Sequence, residues 1–260
     1  MNIHPTAIIS DGASVHESCQ IGPFTVIEDG VEVGPGCHIG PHVHIKGPTI
    51  MGANNKIHSG AVLGDDPQDF KFDGSPTRLV IGDGNTFREH VTIHRSNKDS
   101  EETVIGSANY FMAGSHVGHN SHVGNHNVLV NGALLAGHVQ MADHCIVSGN
   151  AMVHQFVRIG SFSMMQGGAA ISKDLPPFCI AAGVNLICGL NSVGLRRNGF
   201  SRDERSELKD LYHFLFLHAS PWQEKIPKAY HKFSEKPSIA LLDFISSTSR
   251  GVCPHGRDRR

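Results

Sequence analysis

The chain has 260 residues, 39% of them hydrophobic and 18% charged, with a formal net charge of −2 at pH 7. A disordered chain holds fewer apolar groups, a membrane helix needs an apolar run of about 20 residues, and a general nucleic-acid binder carries positive charge, so those three classes are excluded. The opening Met1-Asn2-Ile3-His4-Pro5 has neither the basic nor the apolar stretch of a secretory signal, which predicts a reducing compartment and free thiols for the six cysteines.

From Ile3 onward an apolar residue recurs at every sixth position: Ile3, Ile9, Val15, Ile21 and so on to Leu63. The frame breaks at Asp69 and Ser75, returns at Ile81, breaks at Asp99, and runs from Ile105 to Ile171. Of the 29 positions in this series 26 are apolar, where a hydrophobic content of 39% would place about eleven. Because the frame survives both breaks, the interruptions read as insertions of whole hexads, near 64–80 and 95–104. The residue after the apolar one is often glycine (Gly22, Gly34, Gly40, Gly118), read as the positive φ of a tight corner. The residue four after it is small or β-branched, and Cys19, Cys37 and Cys145 fall there as compact inward hydrophobes. A period of six fits neither a helix nor a heptad. One long and one small inward residue followed by a corner describes one side of a three-sided coil. The fold class is therefore mainly β: a parallel β-helix, or hexapeptide-repeat solenoid, over 1–189, its frame meeting Pro177 near the end.

After a connector, Ser201-Arg202-Asp203-Glu204 reads as a capping box and Leu208, Leu211, Tyr212 and Leu215 follow helical spacing. A second helix is predicted over about Gln223 to Phe233, and a third from Pro237, a residue suited to a first turn. The tail from Gly251 is basic and predicted to fray. Residues 190–260 thus form a small C-terminal α-helical domain, expected beside or below the coil and shielding an open end of the stack.

Histidine concentrates where the repeat is least interrupted, at His116, His119, His122 and His126. Hexads starting at 117, 135 and 153 stack on one face and bring up His119, His138 and His154. By the same arithmetic the hexads starting at 93 and 111 stack on the neighbouring face with His94 and His116. Five imidazoles then line one edge. A neutral imidazole there can serve as general base toward a hydroxyl attacking an acyl group, with a backbone N–H such as that of Gly137 facing the oxyanion. The alternative is a metal held by His116, His119 and His122, although that spacing scatters the three side chains around a corner.

Several segments carry a more specific likeness: Ala136-Gly137-His138-Val139, Ser115-His116-Val117-Gly118-His119-Asn120, Val153-His154-Gln155-Phe156, Thr92-Ile93-His94-Arg95, Gln68-Asp69-Phe70-Lys71 and Gly194-Leu195-Arg196-Arg197-Asn198-Gly199. Together they resemble the acyl-ACP:UDP-N-acetylglucosamine O-acyltransferase family that opens lipid A biosynthesis, over nearly the whole chain. The resemblance implies a left-handed β-helix and a cytoplasmic homotrimer with sites in the clefts between prisms. It implies a UDP-sugar substrate and, as co-substrate, an acyl carrier protein bearing a phosphopantetheine thioester, with no cofactor, metal or nucleic acid. It makes His119 the general base that deprotonates the glucosamine 3-hydroxyl as the hydroxyl attacks a 3-hydroxyacyl thioester, with Gly137 N–H as oxyanion donor.

In the same reading His94, His116, His138 and Gln155 position the sugar or acyl group. Gln68, Asp69 and Lys71 hold the sugar nucleotide from the first insertion, Asn191 and Arg197 reach it from the helical part, and Gly167 with its neighbours Met165 and Gln166 sets acyl length. The chain departs from the family at Asn120, where many members have an Asp that orients the base, and at Val193 and Asn198 near the nucleotide contacts. Those departures leave open the 3-amino analogue of the sugar. The repeat alone also leaves open an acetyl-CoA-dependent sugar acetyltransferase, a metal-dependent carbonic anhydrase and a non-catalytic scaffold.

Overall fold

The computed structural model describes residues 2–217 and 220–256. The coil is built from strands mostly two residues long, arranged as three sheets of 11, 9 and 8 strands, the three faces of a prism, all paired in parallel save the last pair of the 11-stranded sheet. Ile3 pairs with Ile21 and Ile21 with Ile39, a rise of three hexads per coil. Met51 pairs with Ile81 and Ile81 with Ile105, so the first insertion adds two extra hexads and the second adds one. That is why the frame returns after each break.

The sixfold apolar series fills the interior, from Ile21 at 3% exposure through Leu63 and Leu129 at 0% to Ile171 at 3%. Each such side chain contributes about 1.5–3 kcal/mol by leaving water. The small column lies between them. The Cys19 thiol donates to Gly34 O at 3.2 Å and that of Cys145 to Gly160 O at 3.1 Å, and burial pushes the Cys145 thiol up to about 12. Asn55, Asn85, Asn109 and Asn127 occupy this column in consecutive coils. The Asn85 Oδ1 accepts from both the backbone N–H and the side-chain amide of Asn109, and Asn109 Oδ1 accepts from the Asn127 N–H. Such a ladder satisfies the buried amides of Asn55, Asn85 and Asn109, and ends at Asn127, whose Nδ2 has no partner among the described residues.

The corners correct one expectation. Positive φ falls three residues after the apolar position, at His42 (56°), Asn120 (57°), His138 (60°) and Phe156 (67°), and not at Gly22, Gly34, Gly40 or Gly118 directly after it, although Gly64 after Leu63 does have it (82°). Those glycines answer to packing between coils: a Cβ on Gly22 would lie 2.8 Å from Gly40 C, and one on Gly118 would lie 2.6 Å from Gly137 N. A side chain in the left-handed region costs about 1–2 kcal/mol. Ring stacking down the corner offsets it, as in His126–His144 (4.8 Å, 7°) and His144–Phe162 (4.7 Å, 6°).

Beyond the last coil, strand 179–182 pairs antiparallel with 186–190, and four helices follow. The predicted connector contains helix α1 (Ser192–Arg197), too short to show periodicity and capped by Asn191, whose side chain accepts from Gly194 N–H at 3.1 Å. Helix α2 (Arg202–Phe216) starts with the capping box: Glu204 N–H donates to Ser201 Oγ and Ser201 N–H to Glu204 Oε2. Helices α3 (Trp222–Lys232) and α4 (Lys236–Ser246) pack on it through Leu208, Leu211, Leu241 and Leu242, joined by Phe178 from the coil end. The tail differs from expectation. Residues 251–256 are laced to the coil end by Cys253 N–H to Asp174 O (3.0 Å) and Ile187 N–H to Pro254 O (2.8 Å), with Cys253 fully buried. The basic run from 257 lies outside the described residues.

Candidate active site

Val117 turns its side chain into the coil, and the chain corners at His119-Asn120. Asn120 sits in the left-handed region, which directs its side chain back onto its neighbour: Asn120 Oδ1 is 2.7 Å from His119 Nδ1. The orientation of that amide is determined by partners with one possible role each. Asn97 N–H can only donate, and reaches Asn120 Oδ1 at 3.1 Å; the Glu101 carboxylate can only accept, and takes a hydrogen bond from Asn120 Nδ2 at 2.6 Å. Oδ1 therefore faces His119, Nδ1 carries the proton, and Nε2 keeps its lone pair.

Nε2 faces Gly137 on the next coil, where a Cβ would stand 2.8 Å from it. Only a glycine leaves that space open. Around it lies a cleft of ≈ 420 Å³ lined by Gln68, His94, His116, His119, Gly137 and Gln155, with Leu134 and Met152 as an apolar wall. His94 and His116 meet edge to face at 4.9 Å, His119 and His138 likewise at 5.2 Å, and His138 stacks on Phe156 at 4.5 Å.

Burial, with smaller effects from the His94 and His119 charges, lowers the His116 imidazole to about 4, and Thr92 Oγ1 lies 2.8 Å from its Nδ1. Burial also lowers His94 and His138. His94 Nδ1 is buried without a hydrogen-bond partner among the described residues. Asp69 is held below its usual value by the Lys71 N–H and then by the Asn97 side chain. Glu101 is lowered by Lys98 first, although partial burial opposes this, and then by Asn120.

The register corrects the histidine arithmetic. Ile93 pairs with Val117, because the second insertion adds a hexad, so His94 and His116 share the sheet that leads into His119. Position 111 belongs to a different sheet, paired with Phe87. His154 is exposed beside Gln155 and does not line the cleft. His122 stands on another sheet from His116, and among the described residues no group of three or more His, Cys, Asp or Glu could hold a metal ion.

The other expected contacts are dispersed. Gln68 lines the cleft, Asp69 reaches it through Asn97, whose side-chain amide donates to Asp69 Oδ2 at 2.6 Å, and Lys71 is exposed on the same loop. Asn191 caps α1 and donates to Phe162 O at 2.9 Å, at the corner carrying the His126–His144–Phe162 stack, and Arg197 is exposed on that helix. A single chain does not bring those two to the His119 cleft. Gln166 is half-buried and Gly167 exposed, but Met165 is fully buried in the coil interior and presents nothing to an outer groove. Sequence reasoning missed Ser96, Asn97, Glu101 and Thr103, which surround Asn120. Their one signal was the break in the frame at Asp99.

Comparison with known proteins agrees with this architecture. The family model described as UDP N-acetylglucosamine O-acyltransferase, domain 2, matches residues 174–253, and that of the bacterial transferase hexapeptide matches 12–47 and 30–65. The chain is 45% identical over 253 residues to the acyl-(acyl-carrier-protein)–UDP-N-acetylglucosamine O-acyltransferase of Myxococcus xanthus, covering 96% of this chain and 98% of the relative. It is 46% identical over 252 residues to the enzyme of that name from Xanthomonas euvesicatoria, covering 95% and 96%. The crystal structure of UDP-N-acetylglucosamine O-acyltransferase from Moraxella catarrhalis superposes with a TM-score of 0.92 at 36% identity, covering 97% of this chain and all of that one. The fold is a left-handed parallel β-helix followed by short helices.

Proposed function

We propose, from the premise that this chain belongs to the acyl-(acyl-carrier-protein)–UDP-N-acetylglucosamine O-acyltransferase family, that it transfers a 3-hydroxyacyl chain from acyl carrier protein to the glucosamine 3-hydroxyl of UDP-N-acetylglucosamine, with His119 as general base. It is an acyltransferase, and its reaction is the first step of lipid A biosynthesis. The observation that carries the role of His119 is its fixed tautomer: Nδ1–H is committed to Asn120, and the bare Nε2 faces the space above Gly137.

In that pose Nε2 takes the proton of the 3-hydroxyl as its oxygen attacks the thioester carbonyl. The tetrahedral oxyanion faces the Gly137 N–H, which donates to no acceptor among the described residues. The intermediate collapses, the C–S bond breaks, and the departing phosphopantetheine sulfur takes the proton from His119. No acyl-enzyme forms. His94, His116, His138 and Gln155 position the reacting groups, Gln68 and Asp69 with Lys71 hold the sugar nucleotide, and Gln166 and Gly167 bound the acyl chain.

The active form is a homotrimer in the cytoplasm. Two features support the trimer. Leu134 and Met152 are 40% and 47% exposed on the cleft wall, which suits coverage by a second copy, and Asn191 and Arg197 would have to reach a cleft other than their own chain's. Among the described residues no helix is long and apolar enough to cross a membrane.

The test is acyl transfer by the purified chain from a panel of 3-hydroxyacyl carrier proteins to UDP-N-acetylglucosamine and its 3-amino analogue, with acetyl-CoA as competing donor. The expected product is the 3-O-acyl sugar nucleotide. Turnover with acetyl-CoA alone, or acylation of the amine alone, would replace this reading.

A further inference from the structure

We propose that Glu101 is a positioning residue for the His119 base, supplying through the Asn120 amide the negative charge that a carboxylate beside the imidazole would supply directly. The proposal rests on His119 acting as the base. Three groups stand in line: Glu101 Oε2 accepts from Asn120 Nδ2 at 2.6 Å, and Asn120 Oδ1 accepts from His119 Nδ1 at 2.7 Å. Asn120 is buried, with 6% of its surface exposed, and its backbone N–H donates to Thr103 Oγ1 at 2.8 Å, so the amide has little freedom to turn. A hydrogen bond to an ionised acceptor is about twice as strong as a neutral one, and it polarises the amide so that Oδ1 becomes a better acceptor toward an imidazolium.

The charged and titratable neighbours are few. Lys98 Nζ lies 3.0 Å from the other Glu101 oxygen, and His138 Nδ1 lies 3.8 Å from Oε2. Facing His119 are His138 through ring contact and, by charge, Asp69, His94 and His116. Glu101 belongs to the second insertion, so the extra hexad that re-registers the coil also delivers a carboxylate next to Asn120. With Glu101 already 2.6 Å away, an acid at 120 would set two carboxylates against each other and raise the pKa of one of them.

The experiment exchanges the two groups. Four proteins are compared, the wild type, Glu101→Gln, Asn120→Asp and the double exchange Glu101→Gln/Asn120→Asp, with acyl carrier protein and UDP-sugar as substrates and melting curves as a folding control. Glu101→Gln keeps the shape and removes the charge. It is expected to lower kcat about 10–100-fold, the usual effect of losing such a supporting partner. It should also shift the acidic limb of the kcat–pH profile downward and leave KM for the sugar nucleotide within about twofold. Asn120→Asp alone should lose activity, and the double exchange should regain it, because the pair is then reconstituted in reverse order.

The free proteins provide a readout that needs no turnover. The ¹⁵N shifts of His119 should report the Nδ1–H tautomer in the wild type and a lower imidazole pKa in Glu101→Gln. A Glu101→Gln protein with wild-type kcat, pH profile and His119 titration overturns the proposal. So does an Asn120→Asp protein at least as active as the wild type. A wild type without acyl transfer would overturn the functional reading and, with it, the role of His119 as base on which this proposal rests, whereas an active wild type with an unaffected Glu101→Gln protein overturns this proposal alone.

Discussion

Asn120 Oδ1 lies 2.7 Å from Nδ1 of His119, its immediate predecessor in the chain, and the contact exists because Asn120 adopts φ 57°. Adjacent residues on a strand point to opposite faces; the left-handed corner turns the second one back on the first. Replacing His119 by Ala removes the base and leaves the coil interior untouched. Acyl transfer should fall about 10²–10⁴-fold at unchanged melting temperature. Turnover close to that of the parent would remove His119 from the mechanism.

Gly137 is the second point of leverage. Its Cβ would stand 2.8 Å from Nε2 and 2.9 Å from Cε1 of His119. Gly137 does not have positive φ, so alanine meets no backbone strain there. Gly137→Ala is therefore expected to fold, to bind sugar nucleotide weakly and to lose most of its kcat. Steady-state kinetics beside a melting curve check this, and a fully active Gly137→Ala protein would show that Nε2 is not where the hydroxyl sits.

Acid should destabilise the fold through the buried imidazoles. His116 is lowered to about 4 in the native protein, against about 6.5 when unfolded. Above about 6.5 it is neutral in both states and contributes no pH dependence. As the pH falls through 6.5 the unfolded chain takes a proton that the native one refuses, and stability drops until about pH 4, by up to about 3 kcal/mol for this group. His94 and His138 are lowered too and act in the same direction. Urea unfolding at pH 7.5 and 4.5 measures the loss. His116→Gln should reduce it, and an identical loss in parent and variant would refute the assignment.

The asparagine ladder should bear stability without activity. Asn85 Oδ1 accepts twice from Asn109, and its Nδ2 donates to Gly106 O at 2.9 Å and to Gly82 O at 3.2 Å. Asn85→Ala leaves the Asn109 backbone N–H and one of its two amide hydrogens buried without an acceptor, while the other amide hydrogen keeps Gly124 O at 2.9 Å, at about 1–3 kcal/mol for each donor left unpaired. Denaturant midpoints should fall accordingly while kcat of the folded fraction stays at the parent value. A variant with an unchanged midpoint would mean that water replaces the amide.

Period six was legible because a parallel β-helix repeats one local event, an inward apolar residue followed by a corner, and each repetition is written in adjacent residues. From Ile3 to Ile171 the chain spells out its coils, and Ser201 with Glu204 spells out the start of a helix, since caps and corners are local. What lies across coils was not legible in the same way. That Ile93 stacks on Val117 depends on how many residues the second insertion holds, so His94 and His116 changed sheets once the register was known. That Gly118 serves close packing and not a positive φ depends on the coil above it, at Gly137 N. Glu101 could not be linked to Asn120 from their separation in the chain, because an inserted loop folds back by contacts that no periodicity records. The sequence alone determined the repeat and the residue types available for chemistry; only the tertiary structure decided which carboxylate stands behind which imidazole, since hydrogen bonding depends on distances of about 3 Å that spacing along a chain does not set.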